Sequence, residues 1–85
     1  MVKVNWTQRA IKQLSKIDTR YQKTVKDKVA MLTGFPSVNL DIKKLTDMGS
    51  KYRLTIGDYR VIFEFDNGPK IIEIQEVLRR TSKTY

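Results

Sequence analysis

The stretch Tyr52-Arg53-Leu54-Thr55-Ile56-Gly57-Asp58-Tyr59-Arg60-Val61-Ile62-Phe63 holds two short alternating runs that meet at a Gly-Asp pair. A strand repeats every two residues. Tyr52, Leu54 and Ile56 therefore share one side, and Lys51, Arg53 and Thr55 the other. A two-residue hairpin turn at Gly57-Asp58 pairs Ile56 with Tyr59, Thr55 with Arg60 and Arg53 with Ile62. Tyr59, Val61 and Phe63 then join the apolar side, and Arg60 joins Lys51 and Arg53. Cations gathered on one face of a sheet, over a core on its other face, make a candidate anion site.

Working outward, a strand over about 70–78 follows through Asn67-Gly68, a strong hairpin turn signal. Continuing the register sets Arg60 opposite Gln75 and Ile62 opposite Glu73. Val77 and Arg79 then lie on the cationic side, so Arg53, Arg60 and Arg79 share one surface. Glu76 falls on the core side in this scheme, which predicts a bulge or a sheet edge there. Upstream, Val2, Val4 and Trp6 mark a first strand. Thr7 is a good helix N-cap, and Ala10, Ile11, Leu14 and Ile17 follow at helical spacing. Asp18 or Thr19 starts a second helix with Tyr21, Val25, Val29 and Leu32 as its stripe. Gly34 and Pro36 stop it. Residues 35–50 read as irregular, with a turn of helix near Asp41–Leu45. The predicted fold is α+β, in the order β-α-α-β-β-β. A two-helix hairpin packs on one face of a mainly antiparallel four-stranded sheet, in a single domain spanning 1–85.

Composition narrows the function. Seventeen basic against nine acidic residues give +8, a balance expected of a domain that meets phosphate or an acidic protein. Residues 1–34 hold eight basic and two acidic groups, and the final Arg79-Arg80-Thr81-Ser82-Lys83-Thr84-Tyr85 holds three cations and no acidic side chain. No run approaches the ~18 apolar residues of a membrane span. There is no cysteine, hence no disulfide or thiolate metal site, and a cytoplasmic location is expected.

These residues resemble a known family. The strand order, Gly57-Asp58-Tyr59-Arg60-Val61-Ile62-Phe63, the upstream Lys44-Leu45 and Tyr52-Arg53-Leu54, and the Arg-rich end with Tyr85 are similar to the RelE/ParE toxin superfamily. Its members are the toxin halves of bacterial type II toxin–antitoxin pairs. One branch cleaves mRNA on the ribosome without metal, and the other poisons DNA gyrase. The resemblance implies Arg53, Arg60, Arg79 and Tyr85 as catalytic residues, with Arg80 taking the place of Arg79 if the strand shifts by one. It implies Lys44, Lys51, Arg80 and Lys83 as RNA contacts. Thr55 departs from the pattern, since some ribosome-dependent members have a lysine there. The partners implied are an acidic, partly disordered cognate antitoxin, the ribosome and mRNA.

The chemistry available agrees with such a nuclease. RNA cleavage by its own 2′-OH needs a proton acceptor, a stabilised phosphorane and a protonated leaving group. The chain has no histidine and no clear metal-binding carboxylate set, so no cofactor or metal is expected. Arginines would hold the non-bridging oxygens as their charge grows. Tyr85 or Lys51 would serve as acid or base only with a lowered pKa. Three functions stay open: a ribosome-dependent mRNA endoribonuclease, a gyrase inhibitor needing no catalytic residue, and an inactive basic RNA-binding scaffold of the same fold.

Overall fold

The computed structural model describes residues 2–45 and 49–79. Strand β1 (Lys3–Trp6) leads into helices α1 (Gln8–Ser15) and α2 (Thr19–Ala30), and α2 tightens into a 3₁₀ turn at Met31–Gly34. Strands β2 (Ile42–Lys44), β3 (Lys51–Ile56), β4 (Tyr59–Asp66) and β5 (Ile71–Arg79) follow. They form one five-stranded sheet in the order β1-β5-β4-β3-β2. β1 runs parallel to β5, and the remaining pairs are antiparallel. The expected α+β fold is present, with one strand more than the four predicted.

Thr7 joins the two layers. Its backbone is extended, and its Oγ1 accepts the Ala10 N–H at 3.1 Å, which caps α1. The same hydroxyl donates to the Ile74 carbonyl at 2.9 Å, and the Thr7 N–H donates to that carbonyl at 3.0 Å. Beyond the end of β1, the flank of β5 has no strand beside it among the described residues. There the Val77 N–H donates to Gln13 Oε1 of α1 at 2.7 Å. Asp18 caps α2 by accepting the Arg20 N–H at 2.9 Å. The Arg20 guanidinium also bonds this carboxylate, holding the Asp18 carboxyl below its ordinary value and raising Arg20.

The core lies between helices and sheet. Val25, Val29 and Leu32 come from α2 and the turn after it, Leu54, Val61, Phe63, Ile72 and Ile74 from the sheet, and all are fully buried. Phe35 packs edge-on against Tyr52, Phe63 and Phe65 with centroids 5.0–5.6 Å away. Burial of each large apolar side chain contributes about 1.5–3 kcal/mol. Two expected core residues lie outside it. Ile11 is 51% exposed, and Tyr21 is 47% exposed with its ring tilted against Tyr59.

The first hairpin has the predicted register, Ile56↔Tyr59 through Arg53↔Ile62. Gly57 has φ +57, which suits a turn whose first residue must be left-handed. The second hairpin differs. A two-residue turn at Asn67-Gly68 would pair Asp66 with Pro69, which has no N–H to give. The chain instead spends residues 67–70 in the turn, and Asp66 pairs with Ile71. Asp66 Oδ1 accepts the Gly68 N–H. The left-handed position falls on Lys70 (φ +58) rather than on a glycine, at a cost of about 1–2 kcal/mol. A bulge between Ile62 and Phe63 then shifts the register again, so Arg60 faces Leu78 and Ile62 faces Glu76.

Residues 42–44 were expected in a loop with a helical turn, and they form β2 on the outer edge of β3. The Thr55 N–H donates to Asp41 O and the Leu45 N–H to Lys51 O. These residues pair edge groups that a loop would leave to water. Among the described residues, no helix is long and apolar enough to cross a membrane.

Thr7→Ala should lower unfolding stability by about 1–2 kcal/mol, since it removes a cap and a cross-layer hydrogen bond together. The urea midpoint should fall with an unchanged m-value.

Candidate functional site

The face turned away from the helices is a grid of charges. Across β2, β3, β4 and β5, Lys43, Arg53, Ile62 and Glu76 stand abreast. One step toward the Gly57-Asp58 turn come Thr55, Arg60 and Leu78. One step the other way come Lys51, Glu64, Glu73 and, on β1, Asn5. The face is therefore divided rather than wholly cationic. Lys43, Lys51, Arg53 and Arg60 occupy the β2–β4 half, and Glu64, Glu73 and Glu76 the β4–β5 half.

The two halves are partnered differently. Gln75 Nε2 donates to Glu64 Oε1 and to Glu73 Oε1, each at 3.0 Å, and so bridges two facing carboxylates. Glu76 is paired with Arg9 at 3.4 Å. Arg53 and Arg60 are half-buried and form no ion pair with a described residue. The Arg53 Nε is buried and has no hydrogen-bond partner among the described residues. Lys43 stands directly opposite Arg53, and like charges so placed repel. Arg60 is diagonal to Arg53, at about 7–8 Å between side-chain bases. Two guanidiniums without an ion-pair partner among the described residues, with a facing lysine, can hold a phosphate's non-bridging oxygens and stabilise charge that builds there. Among the described residues, no group of three Asp or Glu side chains is placed to hold a metal ion.

The expected site is thus only partly assembled. Arg53, Arg60 and Lys51 share the open face as predicted. Arg79 does not join them. The longer turn and the bulge together shift β5 by three residues, an odd number, so Arg79 faces Tyr59 on the helix side. There it borders a small pocket with Tyr21 and Thr24. Lys44 is also on the helix side, opposite Tyr52. Arg80, Lys83 and Tyr85 lie outside the described residues. Lys43 was missed because β2 was missed. The alternation of half-buried Leu40 and Ile42 with exposed Asp41 and Lys43 was the available signal.

Lys44 borders a cleft of about 680 Å³ on the helix side. Phe35, Tyr52 and Phe65 wall it, and Ser50 and Lys70 stand at its rim.

Replacing Arg53 with methionine keeps the aliphatic stem and removes the charge. Because Arg53 opposes Lys43 and has an unsatisfied Nε, thermal stability should hold or rise by up to about 1 kcal/mol. Affinity for polyphosphate should fall in the same protein. A clear loss of stability would mark Arg53 as structural.

Comparison with known proteins places this geometry. Residues 4–83 match the sequence profile of the ParE toxin of the type II toxin–antitoxin system, parDE. Among curated proteins no sequence matches. Solved structures with the same fold include the archaeal RelE–RelB complex from Pyrococcus horikoshii OT3. It has TM-score 0.81 and 24% identity over 96% of this chain and 98% of that one. The isolated RelE toxin of E. coli has TM-score 0.80 and 16% identity over 98% and 88%. The RelBE2 toxin–antitoxin complex from Mycobacterium tuberculosis has TM-score 0.78 and 20% identity over 93% and 98%. With the profile covering nearly the whole chain and the fold shared throughout, the protein belongs to the RelE/ParE superfamily and is the toxin of a type II toxin–antitoxin module.

Proposed function

We propose that this toxin is a ribosome-dependent, metal-independent mRNA endoribonuclease that inhibits translation. The observation that carries this reading is the pair Arg53 and Arg60, which face the same side of the sheet without ion-pair partners among the described residues. In this role Arg60 and Arg53 grip the scissile phosphate and gain strength as the phosphorane becomes dianionic. Lys43 and Lys51 hold flanking phosphates. The described part of the face supplies no histidine and no carboxylate set for a metal. The ribosome would then contribute orientation of the 2′-OH, which can replace much of the missing acid–base chemistry. Tyr85 and the Arg79–Arg80 pair are proposed to complete the site from the C-terminal segment.

A cognate antitoxin is the proposed protein partner, as the solved relatives include RelE–RelB complexes. An acidic, partly disordered antitoxin would match the +8 charge of this chain and fold on binding. The cytoplasm, where ribosomes and mRNA meet, is the proposed location.

A second reading has its own support. The matching profile is that of ParE, and Arg79 faces away from Arg53 and Arg60. Both favour a gyrase inhibitor, which binds its target and cuts no RNA.

Two assays separate the readings. Primer extension on translated mRNA should show cuts at A-site codons, and a gyrase-cleavage assay should show no trapped DNA breaks. Arg60→Ala should remain folded and lose roughly 10²–10³-fold in cleavage rate. Gyrase-linked breaks with uncut mRNA would transfer the case to the second reading. EDTA-treated toxin should cut normally once ribosomal magnesium is restored, whereas a requirement for an added transition metal would overturn the electrostatic mechanism.

A further inference from the structure

We infer that the cleft on the helix side of the sheet is a second nucleic-acid site, which takes a single-stranded segment of about two or three nucleotides. It is separate from the Arg53–Arg60 face. Tyr52 and Arg53 are neighbours in β3 and point to opposite sides of the sheet. The inference is independent of whether the toxin cuts RNA.

The lining has the chemistry for this ligand. Tyr52 and Phe65 are only partly buried, although they belong to the aromatic cluster of the core. Their rings border an open cleft of about 680 Å³, well within the size range of ligand sites. Phe35 supports both from below, with centroids at 5.2 Å from Tyr52 and 5.0 Å from Phe65. Tyr52 is further fixed by stacking on Phe63 at 5.4 Å and 14°. Rings held this rigidly form platforms for bases, and base–aromatic stacking tolerates any sequence.

The cations flank the platform. Lys44 is on β2, at one edge of the sheet, and Lys70 closes the β4–β5 turn just before β5, where its carbonyl meets β1. Three strand spacings of about 4.8 Å separate them across the sheet, and Lys70 lies four residues before Ile74, which is level with Lys44, so their backbones are roughly 15–20 Å apart. That span suits phosphates at either end of a short strand and is too wide for one phosphate. Neither lysine is ion-paired among the described residues, and no described Asp or Glu lines the cleft. Lys70 also has the left-handed backbone that glycine adopts more easily. Its carbonyl accepts the Lys3 N–H at 3.1 Å, which fixes the conformation. A cation retained in a strained position at the rim of a cleft points to use of its charge.

The test is an NMR titration of ¹⁵N-labelled toxin with the RNA trinucleotide ApApA. Saturable shifts are expected at Ser50, Tyr52, Phe65 and Lys70, and they should persist in Arg60→Ala. The double variant Lys44→Met, Lys70→Gly should fold, since glycine suits the left-handed position. It should bind at least about 10-fold more weakly. The slope of log affinity against log salt should shrink by about 1.4, the value for two single-strand phosphate contacts. Tyr52→Leu should weaken binding without changing that slope. Shifts confined to the Arg53–Arg60 face, or equal affinity in the double variant, would overturn the site. Cleft shifts in a toxin that leaves mRNA uncut would uphold the site and defeat the nuclease reading alone. Cleavage with a silent cleft would do the reverse.

Discussion

The bulge opposite Ile62/Phe63 puts one extra residue into β5, and the layout of charge in this toxin depends on it. Pro69 opposite Asp66 would leave an Asp66 carbonyl without its ladder partner. The turn lengthens to four residues instead, and Lys70 takes the left-handed position. The bulge at Ile62/Phe63 adds one more residue of shift. The longer turn shifts β5 by two residues and keeps its faces, so the bulge alone decides which side chains of β5 face the arginines. Glu76 and Leu78 come to the open face, and Val77 and Arg79 turn inward. A shift of even length would have left the cations of β3, β4 and β5 together. The odd one divides them.

The division has an electrostatic logic. Two like-charged pairs sit face to face on neighbouring strands, Lys43 with Arg53 and Glu64 with Glu73. The acidic pair is relieved by the Gln75 amide, which donates to both carboxylates. The cationic pair has no such relief among the described residues. Stability alone would favour a neutral partner at one of these positions. The unrelieved repulsion is therefore the feature that most clearly marks the β2–β4 half as a place for an anion. A phosphate chain crossing this face would be drawn to that half and turned away from the carboxylates beside it.

Local signals in the sequence were the readable ones. Thr7 and Asp18 announced helix starts through short polar side chains, and both are caps. Gly57-Asp58 announced a tight turn, and the register of β3 with β4 followed without error. What failed was set by a second local signal that overrode the first, or by partners far along the chain. Asn67-Gly68 is a strong turn signal by itself, but the donor missing at the next residue overrules it. β2 is three residues long, too short for a period to show, and it is ordered by the free edge of β3. So Arg53 and Arg60, fixed by a local turn, were placed correctly. Arg79, turned over by a bulge that only the pairing of β4 with β5 sets, was placed on the wrong face, and Lys43 was not seen.

The bond from the Val77 N–H to Gln13 closes part of a sheet flank on which another strand could pair. An open strand flank is a template on which another chain can extend the sheet, and a basic, β-rich domain made in quantity would be exposed to such stacking. Here the helix occupies the flank of β5 where β1 stops, and a side-chain amide uses up the donor a foreign strand would need. Among the described residues, the flanks left open are those of β1 and β2, whose exposed positions include Lys3, Lys43 and Lys44. A second copy approaching either rim meets its own charge. An incoming strand rich in Asp and Glu would not, so the same rims that discourage self-assembly remain open to a chain of opposite sign.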